Sequence, residues 1–371
     1  MGRKRCGRKS GRSRLRNVLT PLFINTIGVF LDLDAKIYVA GHRGLVGSAL
    51  IRNLRSKGYS NIVTRTHKEL DLIDQRAVQD FFSQQKPQYV FLAAARVGGI
   101  LANSTYRGEF IYQNLMIQSN ILHQSMIHGA DRLVFLGSSC IYPKNAPQPI
   151  REEYLLTAPL EPTNSPYAIA KIAGVEMCDA YNKQYGTSFL TVMPTNLYGP
   201  GDNFDLETSH VLPAMLRKFH LAKLASEKRH DSIDADEKRF GNIPFSMKKT
   251  IGLSLEQGNP VVTLWGTGSP YREFLHVDDM ADACVFLMFE NRATAMVNIG
   301  VGKDITTKEL ATRVADTVSY SGEIVWDISK PDGTFRKLLN IDRLGQMGWK
   351  ARISLKEGLR QTYEWYRQQL P

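Results

Sequence analysis

The apolar run Ile37-Tyr-Val-Ala40 passes without a linker into Gly41-His-Arg-Gly44-Leu-Val-Gly47. Apolar residues then recur at helical spacing through Ser48-Ala-Leu-Ile-Arg-Asn-Leu-Arg-Ser-Lys57, and Gly58 ends the pattern. Strand, glycine turn and helix in that order constrain this chain more than any other feature. Such a turn lets the backbone bend tightly, approach a pyrophosphate closely and pack helix against strand, with phosphate at the helix N-terminus. Gly41, Gly44 and Gly47, with Leu45 and Val46 between them, are therefore the expected dinucleotide cradle.

The pattern that follows repeats the same logic. Strands are expected near 61–65, 89–95, 132–137 and 189–194, with helices near 74–85, 103–128 and 166–185 between them. Continuous apolar strands alternating with helices predict an α/β fold, a Rossmann-type doubly wound parallel sheet covered on both faces. After Gly199-Pro-Gly201 the periodicity fades. The Lys-, Asp- and Glu-rich stretch at 220–258 reads as a solvated insertion, either a lid or a surface helix. A strand is expected at 261–265, amphipathic helices at 306–319 and 355–369, and a helix at 277–289 with a strand at 296–299 returning to the sheet. The expected organisation is a basic extension over 1–35, then a nucleotide-binding domain over 36–200 to which 274–300 returns. A smaller C-terminal α/β substrate domain takes 201–273 and 301–371.

The net charge of +11 on 371 residues invites a nucleic-acid reading. Eight of those charges, Arg3, Lys4, Arg5, Arg8, Lys9, Arg12, Arg14 and Arg16, lie in the first sixteen residues, which hold no acid. The remainder carries only +3, too little for a groove that binds a polyanion. The tail reads as a disordered extension. The apolar segment 18–31 imitates a secretory signal, but Pro21 and Asn25 interrupt it and the first strand follows almost at once. Four cysteines without paired spacing make neither a disulfide framework nor a zinc site, so a reducing, cytoplasmic compartment is expected and no metal. No run of apolar residues is long enough to span a membrane.

Two sequence features point to redox chemistry at a carbonyl. Ser138 and Cys140 follow the apolar strand Leu133-Val-Phe-Leu136, at the sheet edge where ligands bind in open α/β folds. Tyr167 and Lys171 stand four apart on a helix and share a face. A nearby ammonium is expected to lower the phenol's pKa, so that Tyr167 exchanges a proton with a carbonyl or alcohol oxygen near neutral pH. Arg43 in the glycine turn and Arg65 after the second strand replace the acid expected of an NAD site, which favours NADP(H). His276, Asp278 and Asp279 could suggest a metal site, but helix N-capping by an aspartate is the preferred reading.

With these motifs the chain resembles the extended short-chain dehydrogenase/reductases, and among them the branch that epimerises GDP-4-keto-6-deoxy-D-mannose at C3 and C5 and reduces it at C4. The resemblance rests on Gly41 to Gly47, Ala93-Ala-Ala-Arg-Val-Gly-Gly99 and Gly137-Ser-Ser-Cys-Ile-Tyr-Pro143. It continues through Glu161 to Lys171, Met193-Pro-Thr-Asn-Leu-Tyr-Gly-Pro200, Ser209-His-Val211, Arg272-Glu-Phe-Leu-His-Val-Asp-Asp279 and Lys330 to Lys337. It implies that Ser138, Tyr167 and Lys171 form the reductase triad, that Cys140 is the epimerisation base and that His210 is its acid partner. It places Pro194, Thr195, Asn196, Leu197, Lys171 and His210 beside the cofactor. Lys218, Trp265, Arg272, Asp332 and Lys337 are implied to hold the GDP-sugar. It also implies a homodimer, through the helices near 103–128 and 166–185, and neither nucleic-acid nor membrane partners. The extension and the charged insertion depart from the family's compact members. The alternatives are a related dehydratase or 4-epimerase with tightly held NAD, or a non-catalytic nucleotide sensor. A dehydratase would want an acidic pair where Cys140-Ile-Tyr142 stands, and a sensor would not need Tyr167 with Lys171.

Overall fold

The computed structural model describes residues 32–251, 260–289, 296–330 and 332–371. The basic run at the start of the chain and positions 252–259 of the charged insertion lie outside the described residues. A six-stranded parallel sheet forms first. Its strands are β1 (Ile37–Ala40), β2 (Ile62–Val63), β3 (Tyr89–Leu92), β4 (Arg132–Leu136), β5 (Phe189–Pro194) and β9 (Val297–Ile299), in the order β2-β1-β3-β4-β5-β9. Alternation along each strand decides the two faces. Ile37, Val39, Phe91, Val134 and Leu190 pack with α1 (Leu45–Ser56) and α9 (Val277–Phe289). Tyr38, Val90, Leu92, Leu133 and Phe135 pack on the other face with α2 (Gln75–Gln85), α4 (Arg107–Ile127) and α5 (Ser165–Tyr185). Both faces are covered, which is why the strands read as continuous apolar runs.

Beyond β5 the chain builds smaller sheets. The strand β8 (Tyr271–His276) pairs with β6 (Asn196–Tyr198), β10 (Asp304–Thr306) and β12 (Arg336–Lys337), while β7 (Val261–Trp265) pairs with β11 (Glu323–Asp327). A separate apolar cluster surrounds them, drawn from α6 (Val211–Ser226), α10 (Thr307–Val318) and α12 (Leu355–Gln368). Short α11 (Asp342–Gln346) packs against β9. Thr306 and Glu309 close a capping box on α10, as their spacing of three requires.

Two regions differ from expectation, and the charged stretch takes the helical one of its two expected forms. The helix expected over 103–128 is broken at Tyr106, between α3 (Ile100–Thr105) and α4. Asn103 donates to the carbonyls of Gly98 and Gly99 at 2.6 and 3.0 Å, which ties the short helix to the glycine turn before it. The charged stretch is largely helical, extending α6 to Ser226 and forming α7 (His230–Phe240) and α8 (Phe245–Thr250). Only Ile233 and Asp236 of α7 are buried, so an apolar period was absent from the sequence. The anchor of that helix is a charge. Finally, β6, β8, β10 and β12 are two to six residues long, too short and mixed in burial to show a period.

Candidate functional site

The glycine turn has the geometry its sequence requires. Gly41 has φ +84°, and a Cβ there would lie 2.7 Å from the Ala94 nitrogen. At Gly47 a Cβ would overlap the Gly41 carbonyl. The helix α1 starts from extended Gly44 with no side-chain cap and no acid in its first turn, so its N-terminal N–H groups are free of an internal anion. This bare backbone cradle fits a dinucleotide pyrophosphate. Arg43 is exposed beside it. Arg65 is half-buried, with its guanidinium 5.4 Å from the Phe81 ring and Nη1 donating to the Thr64 carbonyl at 2.7 Å. On the far side, Thr195 and Asn196 both donate to the Glu273 carbonyl, at 3.3 and 2.8 Å, so this stretch is fixed against β8. Pro194 is buried at the end of β5, and Leu197 sits half-buried in β6.

The reactive groups meet at the C-terminal end of β4. Ser138 accepts the Cys140 N–H at 3.3 Å and starts a tight turn over Ser139–Ile141. That turn presents a free, half-buried thiol. Tyr167 and Lys171 project from one face of α5, with the Lys171 nitrogen 5.9 Å from the Tyr167 ring. Tyr167 hydrogen-bonds Ser138, and Cys140 lies within electrostatic reach of both Tyr167 and Lys171.

The expected phenol activation is not what the structure shows. Burial pushes the Tyr167 pKa well up, the neighbouring thiol adds to this, and the Ser138 hydrogen bond offsets only part. The Lys171 ammonium donates to the Leu136 carbonyl at 2.7 Å. Burial lowers its own pKa to about 8. Tyr167 is thus a neutral phenol near pH 7, the form that can donate a proton to a ketone oxygen.

His210 precedes α6 as its N-terminal flanking residue, in extended conformation and without a side-chain capping bond. The residue is exposed, and partial desolvation of the ring lowers its pKa, which makes the protonated imidazole a stronger acid. Three cations near the smaller sheets form no ion pair among the described residues. Lys218 lies 3.5 Å from the Thr263 carbonyl, and Arg272 donates to the Tyr271 carbonyl at 2.7 Å. Register pairs Lys337 with Arg272. Desolvation lowers the pKa of all three. Trp265 is 66% exposed, with Lys330 5.7 Å above its ring. Asp332 gives both carboxylate oxygens to Thr267, at 2.7 Å to the N–H and 2.8 Å to the hydroxyl, so it shapes the turn after Trp265.

The acids near His276 take other partners. Asp278 pairs with Arg52 at 2.5 Å, and Asp279 accepts from the Arg352 and Ile353 N–H groups. The N–H of Asp278 is met by His276 Nδ1 at 3.3 Å, so the histidine and not an aspartate serves the start of α9. Among the described residues no cluster of three or more metal-binding side chains occurs.

Two supports were invisible in the sequence. Tyr142 donates to Asn298 at 2.6 Å, and Asn298 also meets Glu152, Ile150 and Asn340, which fixes the far end of the Cys140 turn. Glu273, fully buried, accepts from Val301, Gly302 and Leu339 N–H groups at 2.6, 2.7 and 3.1 Å. Their partners are more than a hundred residues away for Asn298 with Glu152 or Tyr142, so no local signal exists.

The chain as a whole has relatives among known proteins. Residues 37–239 and 244–300 match the NAD dependent epimerase/dehydratase family, and the chain belongs to it. Within that family it is 54% identical over 336 residues to putative GDP-L-fucose synthase 2 of Arabidopsis thaliana, covering 91% of this chain and 93% of the relative. It is 49% identical over 340 residues to GDP-L-fucose synthase of Escherichia coli K12, covering 89% and 96%. Among solved structures, a GDP-6-OMe-4-keto-L-xylo-heptose reductase from C. jejuni superposes with TM-score 0.83 at 42% identity, covering 91% of this chain and 99% of that one. A GDP-L-fucose synthetase from Naegleria fowleri bound to NADP superposes with TM-score 0.75 at 25% identity, covering 91% and 95%.

Proposed function

We propose that the protein converts GDP-4-keto-6-deoxy-D-mannose to GDP-L-fucose with NADPH, by epimerisation at C3 and C5 followed by reduction at C4. The observation that carries this reading is the meeting of Ser138, Cys140, Tyr167 and Lys171 at one strand end, beside a bare dinucleotide cradle. Relatives at 49–54% identity named GDP-L-fucose synthase support it.

Gly41, Gly44, Leu45, Val46 and Gly47 would hold the pyrophosphate, and Arg43 with Arg65 the 2′-phosphate. Pro194 to Leu197, Lys171 and His210 would border the nicotinamide. Bound NADPH supplies the hydride. Lys218, Arg272 and Lys337 would neutralise the diphosphate of the sugar nucleotide, and Trp265 would cover its apolar side. Asp332 contributes by setting the turn after Trp265. Cys140 as thiolate removes the C3 or C5 proton, which the 4-ketone acidifies, and becomes a thiol. Protonated His210 then delivers a proton to the opposite face of that carbon, inverting it. Solvent exchange resets both groups. Tyr167 finally gives its proton to the C4 oxygen, while Ser138 orients that oxygen.

Lys171 sets the pH dependence. Its folded pKa, about 8, lies below the ordinary 10.5. Keeping it charged therefore costs stability below about pH 8, a cost that fades as pH rises toward 10.5. Activity runs the other way, because the ammonium that orients the cofactor is lost through the same range. The rate of NADPH oxidation should fall above about pH 8. Lys171→Arg, charged throughout, should remove that alkaline limb from the pH profile while lowering the plateau.

Two copies would pair through α4 and α5, where Tyr112 and Ile169 stay exposed. Free thiols at Cys140, Cys178 and Cys284 support a reducing, cytoplasmic setting. Among the described residues no helix is long and apolar enough to cross a membrane. A second substrate follows from the solved relatives at 41–42% identity described as GDP-heptose reductases. The deciding experiment follows NADPH absorbance on addition of GDP-4-keto-6-deoxy-D-mannose or a GDP-4-keto-heptose. Turnover with the deoxymannose compound is expected. Turnover with the heptose alone would reassign the substrate, and turnover with neither would remove the reading.

A further inference from the structure

The charged stretch after α6 reads from sequence as a solvated lid or surface helix, and its packing points elsewhere. Arg217, on α6, is fully buried, as is Asp236 on α7. The guanidinium donates to Asp236 at 2.8 Å, to the Phe204 and Phe240 carbonyls at 3.1 and 3.0 Å, and to the Gly241 carbonyl at 2.5 Å. Tyr366 of α12 donates to the second oxygen of Asp236. Arg217 therefore ties four segments together: α6, α7, the Gly241 turn and the loop before α6. Such a pair, with its hydrogen bonds satisfied, fixes geometry more than it adds stability.

The loop so held leads straight to His210. Gly241 has φ +99°, and a Cβ there would lie 2.7 Å from Asp205 Oδ2. The other oxygen of Asp205 accepts from the Glu207 N–H at 3.2 Å, the Thr208 N–H at 2.9 Å and the Thr208 hydroxyl at 2.8 Å. Ser209 N–H returns to the Asp205 carbonyl at 2.9 Å, and the Thr208 carbonyl accepts from Gly99 at 3.3 Å. His210 is the next residue, and its carbonyl accepts the Ala214 N–H at 3.1 Å as α6 begins. Lys218, one residue beyond Arg217 and about 100° round the helix, faces β7 instead.

We infer that α7 and the Gly241 turn act as a fixed brace that positions His210 and Lys218 for the epimerisation, through Arg217 and Asp205, and not as a moving lid. Arg217, Asp236 and Asp205 are positioning residues in this account, which rests on the function proposed above. A brace of this kind matters because a shift of about 1 Å in a reacting group can cost about a hundredfold in rate.

The test uses the full chain. Asp236→Asn leaves a buried guanidinium uncompensated and would lower stability whatever its function, so it decides nothing. Gly241→Ala brings a Cβ against the Asp205 carboxylate and also strains the turn at φ +99°, whose carbonyl Arg217 holds, so the folded fraction is measured with it. The measurements are NADPH affinity and stoichiometry by calorimetry, and exchange of the substrate's C3 and C5 protons with deuterated water, scaled to the NADPH-binding fraction. Gly241→Ala should bind NADPH with unchanged affinity and lose about tenfold or more in exchange rate per binding-competent molecule. Should it not fold, Asp205→Asn tests the same link and should show the same split. A loss of less than about threefold in the folded variant overturns the brace. Absence of exchange in the unmodified protein would instead overturn the functional reading, so the two failures are distinct.

Discussion

Replacing Tyr167 with Phe should lower NADPH oxidation by about a thousandfold, within the range general acid catalysis contributes. The protonation state of Tyr167 decides the effect. Burial and the Cys140 thiol keep the phenol neutral, and the Ser138 hydrogen bond holds its hydroxyl in place. Hydride arrival at C4 leaves negative charge on oxygen, and in the proposed function the Tyr167 proton meets it. Phenylalanine preserves the ring's edge contact with Phe110, at 6.5 Å between centroids, so packing should survive. Steady-state absorbance with saturating NADPH checks the rate, and calorimetry checks that NADPH still binds. A variant within about tenfold of the unmodified rate would assign the proton to another group.

Cys140→Ser should reduce exchange of the C3 and C5 protons by about a hundredfold or more. The two side chains differ little in volume, and the Ser138 contact is to the Cys140 backbone N–H, so the turn should persist. A hydroxyl is far less acidic than a thiol, and the base is lost. NADPH oxidation from the deoxymannose ketone should fall with it if reduction follows epimerisation. Supplying the already epimerised 4-ketone should restore oxidation, because Tyr167 and Lys171 are untouched. Loss of both activities on the epimerised ketone would show that Cys140 also serves the reduction.

Much of this site could be read from the sequence because its parts are local. Gly41 to Gly47 sit between one strand and one helix, Ser138 to Cys140 occupy one strand end, and Tyr167 and Lys171 share one helix face. Periodicity and spacing capture such features. The rest depends on long-range pairing. β8 meets β6, β10 and β12 across the chain, and Glu273 gathers three N–H groups from two distant segments, Val301-Gly302 and Leu339. The direction of the Tyr167 shift is not legible in the sequence for a related reason: it turns on how the phenol is enclosed and on where Lys171 points, and neither follows from a four-residue interval. For α7 the sequence allowed a surface helix but not its anchor, because Asp236 looks solvated until Arg217 is placed against it.

The account stands or falls on both chemistries occurring at one sugar in one site. The most direct measurement is an NMR spectrum of the product formed from GDP-4-keto-6-deoxy-D-mannose and NADPH in deuterated water. The account predicts GDP-L-fucose carrying deuterium at C3 and C5 and protium at C4. A reduced product retaining protium at C3 and C5, or no reduced product at all, would contradict it.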